Sequence, residues 1–509
     1  MSFFKKNNIQ NIRLIFAIVY IQGMTAGALA FTWQTDNSPL SYYRNYSNPG
    51  LISSQSANPA NIYKTQTKDN SYYAIFLDGE NGDLKRIFDP KGKDDQSYTT
   101  GGSKHFGQRN LFSGSFTYHR QTFYDKMWTH NSNPYTTLPF LFADSSTGDF
   151  RLNGLYWEVT YAREWISQKI YGGTTMFYNV DEEYKTVFPK PQVNHRDIML
   201  THGFEIKPAK QIALGLTAIY FDFQENMETS QYNQDQTKTP IFYKIRGLDN
   251  PLVFKGETSE ERLMATQGFQ VKTDGKIGLL HQFDLSWIGG FEKSQCQNTD
   301  GGSYPEAQGK WYSQSKFFET NLKWNIQPAF SLSLFANGLR RNLNANHPDI
   351  AIQIYSARSQ DVAVGLNPAF NFKMGTAGLK YSYVSRTYRQ TDNYNGILHY
   401  YPDNINRLEL NLATNIYGKI TTGLDLGYDQ LTTNEAKYYQ ERTDWFYNII
   451  SAADAAYYDC NKNLLWSQIH FSFNSPKNRQ YSIYLKYSNL FSDDSDRSFL
   501  TIRLQSTTY

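Results

Sequence analysis

Residues 408–428 read LELNLATNIYGKITTGLDLGY, and the reading of this stretch decides the fold. Leu408, Leu410 and Leu412 fall on one side of an extended chain, with Glu409 and Asn411 on the other. After a short link at 415–419 the pattern returns: Leu424, Leu426 and Tyr428 alternate with Asp425 and Gly427. Strand side chains have a period of two, so each run has one greasy and one wet face. Two such runs joined by a short link read as an antiparallel pair. Phe283-Asp284-Leu285-Ser286-Trp287 and Tyr481-Ser482-Ile483-Tyr484-Leu485-Lys486-Tyr487 repeat the pattern.

A soluble β-sandwich shows the same alternation with its greasy face turned inward. The links between runs separate the two cases. Short links at 207–210, 273–276, 325–328, 373–376, 415–419 and 475–479 alternate with long, polar ones at 226–261, 292–309, 342–360, 386–405 and 430–463. Short turns on one side and long loops on the other mark an up-and-down membrane barrel, whereas Greek-key sandwiches do not alternate in this way. The expectation is an all-β, transmembrane antiparallel up-and-down β-barrel of about 16 strands, with 14 to 18 allowed. Candidate strands centre on 112–118, 155–161, 170–177, 198–205, 212–220, 264–271, 279–287, 317–324, 332–339, 362–370, 379–384, 408–415, 420–428, 469–473, 481–487 and 500–504. The short turns are then periplasmic, and the last strand runs down to a periplasmic C-terminus.

The beginning of the mature chain departs from this order. The runs 72–77 and 84–88 flank Asn81-Gly82, a hairpin signal, and a Gly- and Lys-rich link follows at 90–107. A tight turn followed by a long link inverts the expected sequence. Two readings stand: a first pair of wall strands, or an element in the bore or the periplasm. The segment 31–107 is long enough to enter and plug the bore, which leaves 108–509 as the barrel proper.

Composition agrees with a barrel and excludes other classes. The 509 residues carry 39 Tyr and 34 Phe, yet the mean hydropathy is −0.60. Helical spans need roughly 20 apolar residues in a row, but a barrel wall needs only every second one. Fifty Lys and Arg against 47 Asp and Glu give a net charge of +3, with no clustered basic footprint for nucleic acid. Residues 1–30 read as a signal peptide. Lys5, Lys6 and Arg13 precede an apolar core, and Ala28-Leu29-Ala30 predicts cleavage before Phe31. The outer membrane is the expected location, with its lipid as the surrounding partner.

No catalytic constellation stands out, and neither an enzyme activity nor a cofactor is expected. There is no G-x-S-x-G and no His-rich metal pattern. His195 and His202 lie on one strand, and His470 and Ser472 share a polar face, which reads more simply as a wet lumen. Asp181-Glu182-Glu183 and Asp493-Asp494 read as solvated loop carboxylates. Opposition to the greasy face places Asp284, Lys323, Lys380, Glu409, Asp425, His470, Lys486 and Arg503 toward the lumen. Their mixed signs suit either a general aqueous channel or an interior whose charges pair. Cys296 and Cys460 fall in long links, where either a loop–loop disulfide or two separate thiols fits an oxidising compartment.

Three features carry a resemblance. The final strand ends on Tyr509, as terminal recognition strands of outer-membrane barrels commonly end on an aromatic, although the alternation Leu500/Ile502/Leu504 stops before Ser506-Thr507-Thr508. Asn48-Pro49-Gly50-Leu51 and Asn58-Pro59-Ala60 look like elements found early in several Bacteroidota outer-membrane barrels and in fatty-acid-transporter-like barrels. With the aromatic richness, these make the chain resemble an uncharacterised Bacteroidota outer-membrane β-barrel family. The barrel pattern without a catalytic signature makes a porin-like channel or accessory transport protein for small solutes the first functional expectation. The resemblance implies the outer-membrane compartment, and a TonB-dependent receptor or other outer-membrane protein as partner. A surface binding or assembly protein acting through its loops is the alternative, and a barrel lipase or protease comes last.

Overall fold

The computed structural model describes residues 58–509 except 67, 133, 138, 230–240, 250, 256–259, 280–281, 351, 417–419, 441–443, 476–477 and 494. The signal peptide, its cleavage site and Asn48-Pro49-Gly50-Leu51 therefore lie outside the described residues. In chain order the strands begin with β1 (Asn70–Gly82), β2 (Gly92–Phe106), β3 (Asn110–Lys126), β4 (Phe140–Asp144), β5 (Gly148–Ile166), β6 (Ile170–Lys185), β7 (Pro191–Ala209) and β8 (Ile212–Thr229). They continue with β9 (Ile241–Arg246), β10 (Leu252–Lys255), β11 (Glu260–Leu279), β12 (Phe283–Asp300), β13 (Glu306–Gln327), β14 (Phe330–Asn346), β15 (Gln353–Phe372) and β16 (Gly375–Asp392). The last are β17 (Ile397–Ile416), β18 (Ile420–Thr433), β19 (Lys437–Gln440), β20 (Lys462–Asn474), β21 (Arg479–Phe491) and β22 (Asp496–Thr508).

Among the described residues, eighteen of these strands pair with their chain neighbours in an antiparallel wall, and β22 returns to pair with β1 from Ser71↔Thr508 to Gly82↔Arg497. That closure leaves no wall edge unpaired. The short β19 lies against the loop end of β17. β4, β9 and β10 form a separate three-stranded sheet.

The wall has eighteen strands rather than about sixteen, and the extra pair is the first hairpin. β1 pairs with both β2 and β22, so it belongs to the wall. The second run expected there, 84–88, is not a strand; the chain leaves the wall after Gly82 and re-enters at Gly92. The supposed link 90–107 is β2 itself. Near its start Asp94 and Gln96 face outward, while Lys93, Asp95 and Ser97 are buried inside. A strand polar on both faces carries no apolar period, so alternation could not reveal it. With β2 in place, 83–91 is a loop and 107–109 a short turn, and the long/short order holds around the barrel.

Strand length explains a second difference. A membrane crossing needs about 9–11 residues per strand, whereas β12 has 18 and β13 has 22. Much of what reads as long link is strand standing beyond the apolar belt, where the outward residues Lys293, Gln295 and Gln297 are exposed and polar. Asp181-Glu182-Glu183 likewise lies within β6, not in a loop.

The outer face carries the apolar belt. Leu412, Leu424, Ile469, Leu485, Ile502 and Leu77 are successive cross-strand partners around the wall. Aromatics flank them. Phe283 stacks on Trp324 and Phe330 packs on Phe370 near the turns. Toward the loops, outward tyrosines give their hydroxyls to asparagines on the next strand: Tyr381 to Asn406 at 3.0 Å, Tyr383 to Asn404 at 2.7 Å and Tyr428 to Asn463 at 2.7 Å. Among the described residues, no helix is long and apolar enough to cross a membrane.

The buried apolar core sits inside the loop end of the barrel. Phe140 and Phe142 of β4, Phe242 of β9, Leu248 and Tyr447 pack on the inner-face residues Val193, Met227, Met264, Cys296, Trp311, Leu343 and Tyr355. A second cluster joins Phe88, Trp128, Leu141, Tyr243, Phe446 and Ile450. Four connections, β1–β2, β3–β5, β8–β11 and β18–β20, thus fold inward together.

Candidate functional site

The bore is the candidate site, and its inner face is built by the strand period. On β18 the belt residues Leu424 and Leu426 point out, so Asp425 points in. There it is 3% exposed and accepts hydrogen bonds from Asn411 Nδ2 at 2.8 Å and Gln468 Nε2 at 3.0 Å. The same parity places the other seven residues on the inner face. Asp284 lies across from Lys323 in register and 3.8 Å from Lys276 Nζ. Lys380 pairs with Glu409 at 3.0 Å, and Arg407 with Asp429 at 2.7 Å. His470 packs over the inner side of Gly423, which has no side chain to exclude the ring. Lys486 stands 5.5 Å from the Trp466 ring and Arg503 4.7 Å from that of Phe76, with Arg503 also donating to Gln505. Opposite charges meet on adjacent strands and no ring of one sign forms among these residues.

The turn-end half of the bore is open to water at Asp284, Asn321, Lys323 and Lys380. The loop-end half is filled, and polar clamps fasten the filling to the wall. Arg262 of β11 makes a two-pronged bond to Asp300 of β12 (2.6 and 3.0 Å) and reaches the Leu141 carbonyl of β4 at 3.2 Å. Lys244 of β9 meets the same Asp300 at 2.6 Å. Lys185 of β6 holds Asp144 of β4 at 2.8 Å, and His130 meets that carboxylate at 2.6 Å. Burial alone would raise the Asp144 carboxyl, but the hydrogen bonds and charges of His130 and Lys185 outweigh it and hold the group well below the usual carboxylate range.

The connection between β18 and β20 forms a π-helical turn (Tyr447–Ser451) and a helix (Ala452–Asp459). Asp249 caps this element by accepting from the Tyr447 N–H at 2.9 Å, and Asp392 of the wall accepts from the Leu248 N–H at 2.7 Å. Asp454 receives the Ile87 N–H at 2.7 Å and the Tyr135 hydroxyl at 3.1 Å. Burial pushes Asp454 up to about 7, against the Ile87 bond and the charge of Arg86.

At the turn end, a shorter piece of chain lies on the inner wall. The 3-10 turn Pro59–Asn61 sits over Gly173 and Gly203, register partners on β6 and β7; a Cβ on Gly203 would overlap Asn58 Oδ1. Asn58 Nδ2 donates to the Phe204 carbonyl at 3.0 Å, and Lys64 meets Glu205 at 2.5 Å. Of the segment 31–107 expected as a plug, 31–57 lies outside the described residues, two stretches are wall and 58–66 lines the turn-end mouth. Loops fill the other end.

Geometry places the side chains whose roles the sequence left open. Cys296 and Cys460 are free thiols. Cys296 is on β12, buried against the loop-end core, and Cys460 follows the helix with its Sγ toward the Tyr457 carbonyl. Ser472 pairs with Ser482 at 3.1 Å rather than with a base. His202 faces outward to Thr174. His195 faces inward and meets Ser132 at 2.6 Å, but the Ser132 hydroxyl is also held by Glu183, itself paired with Lys126. The half-buried Ser132 hydroxyl thus bridges Glu183 and His195 between a loop and the wall. Among the described residues no group of three or more potential ligands is placed to hold a metal ion.

The inward-folding loops were missed at the sequence level. Their signal was Phe140-Leu141-Phe142-Ala143, a short apolar run with no alternation, which fits a strand buried on both faces.

Comparison with known proteins gives one family and several barrels. No curated protein matches the sequence. Among solved structures, the siderophore receptor PiuA from Acinetobacter baumannii is 10% identical, with 86% of this chain and 82% of that one covered at a TM-score of 0.41. The copper transporter OprC is 8% identical, with 85% and 80% covered at 0.40. The RagAB peptide importer in its 'closed-closed' state is 8% identical, with 84% and 61% covered at 0.42. A family model described as "Family of unknown function (DUF6850)" matches residues 59–507, and the chain belongs to that family.

Proposed function

We propose that this protein is an outer-membrane transport barrel for small solutes whose channel is closed by its own loops. The observation that carries the reading is the pairing of a continuous apolar belt outside with a charged bore inside that is wet at one end and packed at the other. A soluble protein would not present rows of exposed Leu, Ile, Phe and Tyr around its whole circumference. Barrels of 16–18 strands are wide enough to leave an aqueous channel unless something fills it. Here the filling is chain from four loops, held by clamps that an opening event could release. In this reading the short turns and both termini of the wall face the periplasm, and the loop end faces outward. A second outer-membrane protein, such as a TonB-dependent receptor, is the partner proposed for opening.

Solute efflux from vesicles tests this. Wild-type protein should leave small sugars trapped, and a variant with 444–459 replaced by a short Gly/Ser linker should release them. A correctly folded variant as tight as wild type would remove the channel reading. The alternative, a surface binding protein, draws on the exposed apolar side chains at the loop end, among them Leu252, Val253, Trp445 and Ile449. Pull-down from outer membranes with Trp445→Ser and Ile449→Ser as controls separates the two: a partner lost in these variants, with efflux unchanged, favours binding.

A further inference from the structure

On the outer face near the turns, the apolar wall is interrupted where the chain closes on itself. Thr508, Ser71, Gly102, Gly114 and Val159 are successive cross-strand partners on β22, β1, β2, β3 and β5. Four of these five are small residues, and parity with Leu77 and Ile502 turns the whole row outward. One row toward the loops stand Tyr73 and Phe116, both exposed, Tyr73 at 69%. One row toward the turns stand Lys104 and Phe112, themselves partners, with Phe106 beyond. Thr508, Ser71, Gly102 and Gly114 floor a shallow, open groove of about 470 Å³, also lined by Phe112, Asp69 and Tyr509. Adjacent strands are about 4.8 Å apart, so a floor four strands wide runs for roughly 14 Å across the wall.

The groove ends in charges of both signs. Lys104 is three positions before the turn 107–109, at the level where headgroups meet the wall. Asp69 lines the same groove, and its carboxylate is fixed by His105, whose backbone N–H and Nδ1 both lie 2.8 Å from Oδ1. A trough floored by small residues, flanked by Phe106 and Phe112 and ending in an ammonium and a carboxylate, fits a phospholipid with a zwitterionic, amine-bearing headgroup. We propose that the groove holds one such lipid from the leaflet on the turn side. One acyl chain lies along Ser71, Gly102 and Gly114 beside Phe112. The headgroup phosphate meets Lys104 and its ammonium meets Asp69. The inference rests on the membrane-spanning reading above.

Native mass spectrometry of the full chain tests it, after reconstitution into vesicles of phosphatidylethanolamine and phosphatidylglycerol and extraction in mild detergent. Wild type is expected to retain one phosphatidylethanolamine. Ser71→Leu fills the floor and Lys104→Glu reverses the phosphate site; each should lower the adduct by about tenfold, the worth of one charge-assisted contact. Asp69→Asn should shift retention toward phosphatidylglycerol. A wild-type spectrum without adduct, or equal adducts in wild type and Lys104→Glu, overturns the groove. Retained lipid with unchanged headgroup preference in Asp69→Asn overturns the headgroup assignment. Heat-modifiable migration, read on every sample, separates these outcomes from failure to insert, which would instead count against the membrane reading.

Discussion

Replacing Arg262 by Met should loosen the loop-end closure without unfolding the wall. Arg262 is 3% exposed and reaches two other strands: Asp300 of β12 through two hydrogen bonds, and β4 through a third to the Leu141 carbonyl and through the Phe142 ring, 5.4 Å from its guanidinium carbon. Met keeps much of the stem volume and removes the charge. Arg262 and Asp300 both belong to the wall and stay register partners whether or not the loops are docked. The part of the loss that falls on docking is therefore the charge-assisted bond to the Leu141 carbonyl, about 2 kcal/mol. About 2 kcal/mol corresponds to roughly a thirtyfold rise in the undocked population. Hydrogen exchange in β4 and β9 reads that population, and single-channel recording in planar bilayers reads its consequence. Exchange should accelerate by about that factor in β4 and β9 and stay unchanged in β17 and β18, with brief openings appearing in the current trace. Unchanged protection in β4 would refute the clamp. Acceleration with a silent trace would show that undocking does not open the bore.

Three further outcomes are expected. Arg at a lipid-facing position at the midplane costs about 2–4 kcal/mol, so Leu424→Arg, between Leu412 and Ile469 in register, should impair urea stability in vesicles. Asn321→Arg, inward and beside water, should be nearly silent; equal losses would invalidate the assigned faces. Asp454 has a folded pKa raised to about 7 from an unfolded value of 3.8, so its own contribution to docking is full below about pH 4 and is lost as pH rises from there through 7, by a total on the order of 4 kcal/mol. Protection of the Ile87 amide, corrected for intrinsic exchange, should fall from pH 5 to pH 8, and Asp454→Asn should flatten that profile. Gly203→Ala should displace Asn58 and expose the Asn61 amide, bonded to the Asn58 carbonyl at 2.9 Å, while heat-modifiable migration persists; a protected Asn61 would mean that the wall yields instead.

For the candidate site, parity along each strand made the inner face legible. Asp425, Glu409 and His470 follow from the leucines and isoleucine beside them, because one greasy face dictates the other. What those side chains do there was not legible. Asp425 reads as a lumen charge, yet its carboxylate is buried between Asn411 and Gln468, residues 14 positions before it and 43 after it. A substitution to Arg would strand both amides and is expected to destabilise the wall.

The sequence by itself determined the barrel, its outward belt and the order of turns and loops. Those depend on a solvent contact repeated at every second residue, which each strand meets on its own. The tertiary structure alone decided that β2 belongs to the wall, that the two thiols stay free and that four loops fill one end of the bore. Each of these depends on residues far apart in the chain meeting inside the closed wall. Polar strands beyond the belt and apolar loops buried within it carry no period against a uniform solvent, so nothing local marks them.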